Sequence, residues 1–274
     1  MGLMKIEKYI IAIPARLKSS RLPNKILRDI GGVPMLKRVL DICKKSFGKG
    51  KVITCVDDSE VKKIVDNWGY TSVLTSQKCD SGTDRISSVV DEIVKYAWED
   101  NNSNSSFDLY SERLKKTLII NVQADQPFLD HKVINKLVDC FMKNEQNTHV
   151  ITPIYPLKPF EIANPDIVKT LINSEGRAIY FSRQVIPYIR DVDPKKWHEI
   201  TTFWGHVGIY GYRADVIASW SKYNSNLENL EKLEQLRFIE KGFNIDTIAV
   251  DGNFLSVDNY EQLKEANVIA KIKG

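Results

Sequence analysis

Four cations fall within eleven residues directly behind an apolar run. Lys8 to Pro14 (KYIIAIP) is short and continuous, as expected of a strand buried on both faces. The segment that follows, Ala15 to Lys25, carries Arg16, Lys18, Arg21 and Lys25 together with Ser19 and Ser20. At a strand's carboxyl end, guanidinium forks, an ammonium and backbone N–H groups suit a triphosphate. The same composition also serves as a solvated basic loop. Neither G-x-x-x-x-G-K-[ST] nor G-x-G-x-x-G is present, which argues against the usual P-loop and dinucleotide readings.

Candidate metal ligands are carboxylates far apart in the chain. Thr117 to Pro127 (TLIINVQADQP) runs from an apolar strand into Asp125. A carboxylate there is placed to hold Mg²⁺, a hard cation that takes oxygen ligands and bridging phosphates, or simply to form a turn. Asp258, in Val257-Asp258-Asn259, could share Mg²⁺ with it or cap the last helix. Cys79 to Arg85 (CDSGTDR) places small and hydroxylated residues at a helix entry, where backbone N–H groups meet ligands and Ser81 or Thr83 can act as the cap. No Ser, Cys or His stands in an activated-nucleophile motif.

The elements needed to position these groups alternate. Strands are expected at Lys8 to Pro14, Lys51 to Val56, Thr71 to Leu74 and Thr117 to Val122, with helices over Met35 to Phe47, Ser59 to Trp68, Gly82 to Trp98 and Asp130 to Asn144. Ser59 is the expected cap of the second helix. This order predicts an α/β fold, a mostly parallel, doubly wound, Rossmann-like sheet with functional residues at the strands' carboxyl ends. Beyond residue 148 the pattern becomes mixed β. Strands are expected at His149 to Ile154, Val168 to Ile172, Ile179 to Phe181, Gly205 to Arg213 and Ile245 to Val250, and helices at Leu227 to Gly242 and Asn259 to Lys273. The organisation expected is one domain over 1–274: a nucleotide-binding half at 1–148, a mixed β region at 149–226 and a return to the core at 227–274. The polar stretch 100–116 is expected to be a mobile surface insertion.

Composition narrows the function classes. Of 274 residues, 27% are charged, yet the net charge is only +4 and the signs are interspersed, so no nucleic-acid stripe stands out. No apolar run reaches membrane-spanning length. Cys43, Cys55, Cys79 and Cys140 lack zinc or C-x-x-C spacing, and Cys43, Cys55 and Cys140, in apolar contexts, read as reduced thiols, pointing to the cytoplasm.

IPARLKSSRLPNK resembles the signature of the 3-deoxy-manno-octulosonate cytidylyltransferases, within the nucleotide-diphospho-sugar transferase type of fold. Further segments resemble that family in the same order: SGTDR (81–85), NVQADQP (121–127), YFSR (180–183), HVGIYGYR (206–213), LEQLR (233–237) and Val257-Asp258. The family pattern NVQGDEP is met with Ala124 and Gln126 as departures. The resemblance implies a Mg²⁺-dependent transfer of CMP from CTP to an acid sugar, 3-deoxy-D-manno-octulosonate (Kdo) or a relative such as its 8-amino analogue, feeding lipopolysaccharide or another surface glycan. By resemblance Ala15, Arg16, Arg21 and Lys25 hold the nucleotide phosphates, with Arg16 and Lys25 neutralising the leaving pyrophosphate. Ser81, Gly82, Thr83, Arg85 and Gln123 line the nucleotide pocket. Asp125 and Asp258 carry the metal, and Asp125 is catalytic with Arg16 and Lys25. Arg183 meets the sugar carboxylate, while His206, Tyr210, Glu234 and Gln235 line the sugar side. A homodimer is also implied. A sugar-nucleotide glycosyltransferase would be expected to show D-x-D where Ala-Asp-Gln stands. A non-catalytic nucleotide-binding module would bind CTP without releasing pyrophosphate.

Overall fold

A computed structural model describes residues 5–48, 51–99, 107–144, 148–252 and 254–273. In chain order the elements are β1 (Lys8–Ala15), β2 (Asp29–Ile30), β3 (Val33–Pro34), α1 (Met35–Phe47), β4 (Val52–Val56), α2 (Ser59–Asn67), β5 (Thr71–Leu74), α3 (Gly82–Ser87), α4 (Val90–Ala97), α5 (Phe107–Lys115), β6 (Thr117–Val122) and α6 (His131–Lys143). There follow β7 (Val150–Pro156), β8 (Lys169–Ile172), β9 (Ala178–Ser182), α7 (Trp197–Ile200), β10 (Trp204–His206), β11 (Ile209–Arg213), α8 (Ala214–Ala218), α9 (Asn226–Glu231), α10 (Gln235–Glu240), β12 (Ile245–Ala249) and α11 (Tyr260–Lys273).

Ten strands form one sheet in the order β5-β4-β1-β6-β11-β7-β10-β8-β9, with β12 pairing β7. β5, β4, β1 and β6 are parallel, as the βαβ spacing requires. β11 runs antiparallel to β6 and starts the mixed half. Both faces are covered. Ile11, Ile13 and Ala15 of β1 pack in a core layer with Leu36, Val39 and Leu40 of α1. Ile10 and Ala12, on the opposite face, pack with Ile86, Ile93 and Ile217. That two-sided burial is why KYIIAIP is a continuous apolar run rather than an alternating one.

The boundaries differ from expectation where side chains compete with the backbone. The helix expected over Gly82 to Trp98 breaks after α3. There the Ser88 hydroxyl donates to the Arg85 carbonyl (2.8 Å), the Ser87 hydroxyl donates to the Ile217 carbonyl (2.9 Å), and Val89 leaves helical geometry. The helix expected over Leu227 to Gly242 breaks at Lys232, which takes a left-handed φ of 56°. The strand expected over Gly205 to Arg213 divides into β10 and β11, which both pair with β7 while β10 also pairs with β8 and β11 with β6, and Gly208 sits at the break. Asp58, not Ser59, caps α2, accepting from the N–H groups of Glu60 and Val61. Of the insertion expected at 100–116, residues 100–106 lie outside the described residues. The remainder corrects that expectation, because α5 is a helix whose Tyr110 and Leu114 pack on the core.

Candidate active site

The carboxyl ends of β1, β4 and β6 open on one side of the sheet, and each delivers functional groups there. β1 releases the basic loop 16–25, which closes in a 3-10 turn at Lys25–Leu27 behind Asn24, whose φ is 53°. β6 releases Gln123 to Gln126. The segment after β12 brings in Asp258, docked by the Val257 N–H, which donates to the Asp125 carbonyl (2.9 Å).

Lys25 Nζ donates to Asp125 Oδ2 at 2.7 Å and to Asp258 Oδ1 at 2.9 Å. Arg21 Nη2 lies 3.2 Å from Asp258 Oδ1. Burial works against the Lys25 charge, but Asp125 and Asp258 outweigh it and raise its pKa. Burial likewise works against the Asp258 charge. Lys25 is the main opposing influence, helped by Arg21 and Arg16, and holds this carboxyl below its ordinary value. Lys25 and Asp258 are therefore both ionised at neutral pH.

Two carboxylates converging on one cation form an oxygen donor set that fits Mg²⁺. Among the described residues no cluster of three or more His, Cys, Asp or Glu could hold a metal. Water and phosphate oxygens would have to complete a Mg²⁺ shell, which is this ion's usual preference. Asn259 takes over the capping task, accepting from the Gln262 N–H (2.9 Å) and leaving the Asp258 side chain to the site.

Two cavities flank this cluster. One, of about 620 Å³, is lined by Arg16, Lys25, Ser81, Gly82, Glu234 and Arg237 among others. The other, of about 730 Å³, is lined by Gln126, Tyr155, Asn164, Ile167, His206 and Gly208 among others. Arg21, Gln123, Asp125, Arg183 and Asp258 belong to the walls of both. A reaction between two ligands, one in each cavity, would take place against the carboxylate pair. At Gly82 a Cβ would lie 3.1 Å from Pro14 Cγ and 3.2 Å from the Gln123 amide, so this corner admits no larger residue without displacement.

Several expected contacts lie behind the walls. The Ala15 side chain is core, and Thr83, in the first turn of α3, is buried. The Gly82 and Thr83 N–H groups donate to Glu234 (3.1 and 3.0 Å), so the helix entry is closed by a carboxylate of the chain itself. Ser81 caps α3 by accepting from the Asp84 N–H. Tyr210 is buried and donates to Gln235 Oε1 (3.0 Å); neither residue is on a cavity wall, so they back the site rather than face a ligand.

Arg85 touches the edge of the smaller cavity, but its buried guanidinium donates to Thr75 Oγ1 (2.5 Å), Ser76 O (3.2 Å) and Asp57 Oδ2 (3.2 Å). Asp57 in turn accepts from the Leu17 N–H (2.9 Å). Arg85 thus steadies the basic loop through Asp57. Sequence reasoning passed over Asp57, although it follows a buried strand as Asp125 does.

His206 Nε2 lies 3.0 Å from Thr152 Oγ1, whose hydroxyl donates to the Ile209 carbonyl (2.7 Å). Nε2 is therefore assigned the imidazole hydrogen. Burial pushes the His206 pKa down to about 3, so the ring is neutral. Arg183 is held by Glu231. Its N–H donates to Glu231 Oε2 (3.0 Å) and its Nε to the Glu231 carbonyl (2.9 Å). Ala124 is buried in the core and its φ is not positive, so the glycine of the family pattern is not required there.

A Rossmann-like sheet with a basic loop after β1, and an acidic pair between two cavities, defines a nucleotidyltransferase architecture. Comparison with known proteins makes this specific. Residues 10–248 match the cytidylyltransferase family. The 3-deoxy-manno-octulosonate cytidylyltransferase of Fusobacterium nucleatum is 34% identical over 259 residues, covering 94% of this chain and 95% of that protein. Its namesake from Porphyromonas gingivalis is 31% identical over 270 residues, covering 97% and 98%. A CMP:2-keto-3-deoxy-manno-octonic acid synthetase solved in complex with CTP superposes with a TM-score of 0.81 at 31% identity, covering 98% of this chain and 100% of that one. The chain belongs to the cytidylyltransferase family. Within it, the chain falls among the 3-deoxy-manno-octulosonate cytidylyltransferases.

Proposed function

We propose that this protein transfers CMP from CTP to the anomeric hydroxyl of Kdo, releasing pyrophosphate. The observation that carries the reading is the shared wall: Asp125 and Asp258 border both cavities, with Lys25 between them. CTP takes the smaller cavity, with its phosphates toward Arg16, Arg21 and Lys25. The acid sugar takes the larger one. Mg²⁺, held by Asp125 and Asp258, would neutralise phosphate charge and lower the pKa of the attacking hydroxyl.

The chain's own groups do the rest. Lys25 and Arg16 offset the charge that builds on the leaving pyrophosphate. Among the described residues no hydrogen bond engages Arg183 Nη2, which is left for the sugar carboxylate. Neutral His206 offers hydrogen-bonding capacity without a competing charge. Holding both ligands against one acidic pair supplies the proximity that an in-line displacement needs.

A homodimer is supported by exposed apolar side chains in the mixed β half. Ile179 lies on edge strand β9, with Tyr188 and Ile200 also exposed. Four free cysteines support the cytoplasm, where activated Kdo would supply lipopolysaccharide or another surface glycan. No helix among the described residues is long and apolar enough to cross a membrane. The test is pyrophosphate release with CTP and Mg²⁺ across octulosonic, amino-octulosonic and nonulosonic acids. Kdo is expected to give the highest kcat/KM. A higher value with the 8-amino analogue would transfer the assignment to that sugar.

A further inference from the structure

Lys169 opens β8 and is completely buried. Its ammonium donates to three backbone carbonyls, those of Asn164 (2.9 Å), Ile167 (2.8 Å) and Arg183 (2.5 Å). Three donors meet three acceptors, so the group is satisfied, yet none of those acceptors is a carboxylate. Burial depresses the Lys169 pKa, the Arg183 charge adds to that, and Glu231 works in the opposite direction. Burying an ammonium without a bonded anion is costly, and an apolar side chain of similar length would be the simpler core residue.

The three carbonyls explain what the charge is for. Asn164, Ile167 and Arg183 all line the larger cavity. Pro165, between the first two, accepts from Arg183 Nη1 (3.2 Å). The contacts therefore close a ring. Lys169 holds segment 164–167, that segment holds the Arg183 guanidinium through Pro165, and Lys169 holds the Arg183 carbonyl. Glu231 secures the same arginine from its other side, accepting from the Arg183 N–H and from the Ser182 hydroxyl (2.6 Å).

We infer that Lys169 is a positioning residue for acid-sugar binding, a buried ammonium that fixes both the Arg183 backbone and the wall that orients its guanidinium. This rests on the reading that Arg183 meets the sugar carboxylate. Lys169 lines neither cavity, and of its three acceptors Asn164 and Ile167 border only the larger one while Arg183 borders both, so its influence falls mainly on the acid sugar.

The test compares the unsubstituted enzyme with Lys169→Met and Lys169→Arg, measuring KM for Kdo, KM for CTP and kcat. With Met, the Kdo KM is expected to rise roughly tenfold or more while the CTP KM stays within about twofold; Arg, which keeps a cation and donors, should recover part of the loss. An unchanged Kdo KM in folded Lys169→Met, or equal rises in both KM values, would overturn the inference. Should the variants not fold, ¹⁵N-lysine spectra of the unsubstituted enzyme decide. The Lys169 ammonium signal should shift with Kdo and stay in place with CTP alone, and no shift at saturating Kdo refutes the role. Lack of turnover by the unsubstituted enzyme would instead refute the functional reading itself.

Discussion

The Lys25 ammonium lies 2.7 Å from the Asp125 carboxylate, a residue one hundred positions later in the chain. This contact joins the loop after β1 to the loop after β6, two neighbouring parallel strands. Asp258 completes the cluster at 2.9 Å. Because Lys25 satisfies both carboxylates, the cluster holds together without a metal. Chelation with EDTA should therefore abolish turnover while leaving the thermal midpoint unchanged, as followed by circular dichroism. A midpoint that falls with the activity would show a structural metal instead.

Asp125→Asn keeps the side-chain shape and removes its charge. It should lower kcat by roughly 10² to 10⁴, the scale of losing one element of electrostatic stabilisation. Lys25 keeps Asp258, so the protein stays folded. Turnover within about twofold of the unsubstituted enzyme contradicts the assigned role.

Asp57 can be separated into two functions by two substitutions. Asp57→Ala removes the acceptor for the Leu17 N–H and the partner of Arg85. The CTP KM should rise about tenfold, with stability falling by about 3 kcal/mol because a buried guanidinium loses its anion. Asp57→Asn retains an acceptor for Leu17. It should lose stability while keeping a CTP KM near that of the unsubstituted enzyme. Steady-state kinetics and urea unfolding on the two variants give both quantities.

Gly211 lies in β11 beneath α6, and a Cβ there would meet Leu137 Cδ2 at 2.6 Å and Ile151 Cγ2 at 3.0 Å. Gly211→Ala should destabilise the protein by about 1–3 kcal/mol through overpacking. KM values should change little, because the clash lies in the core rather than on a cavity wall. Chemical denaturation measures the first effect and kinetics the second.

His206 makes stability depend on pH in a defined direction. Its folded pKa is about 3, against an ordinary value of 6.5. Between those values the unfolded chain takes up a proton that the native protein does not, so stability increases with pH up to about 6.5 and this contribution is constant above it. The urea midpoint should fall as pH is lowered from 7 to 5, and fall less in His206→Gln. Equal slopes in the two proteins would place the His206 pKa near its ordinary value.

The parallel half of the fold was legible because strands buried on both faces leave unbroken apolar runs, as in KYIIAIP and TLIINV. Charged groups following those runs marked the carboxyl edge, and the family resemblance placed Lys25 and Asp125 in one site. Helix interruptions were hidden. Ser88 and Lys232 break helices through a hydroxyl–carbonyl bond and a left-handed turn, neither of which disturbs hydrophobic periodicity. Direction of side chains was hidden as well. Arg85, Tyr210 and Gln235 stand in the right segments, yet their polar ends bind the protein itself. Lys169 left no trace, since a lysine opening a strand ordinarily faces solvent. Only the assembled carbonyls of Asn164, Ile167 and Arg183 make its burial tolerable.

The central claim is that Asp125 and Asp258 join a CTP cavity to an acid-sugar cavity for transfer of CMP. CTP labelled in its α-phosphate, incubated with Kdo, Mg²⁺ and the enzyme, tests it directly. The account predicts that the label moves into CMP-Kdo in step with pyrophosphate release, and that both cease in Asp125→Asn. Label recovered only as CTP or free CMP, with no sugar conjugate, would contradict it.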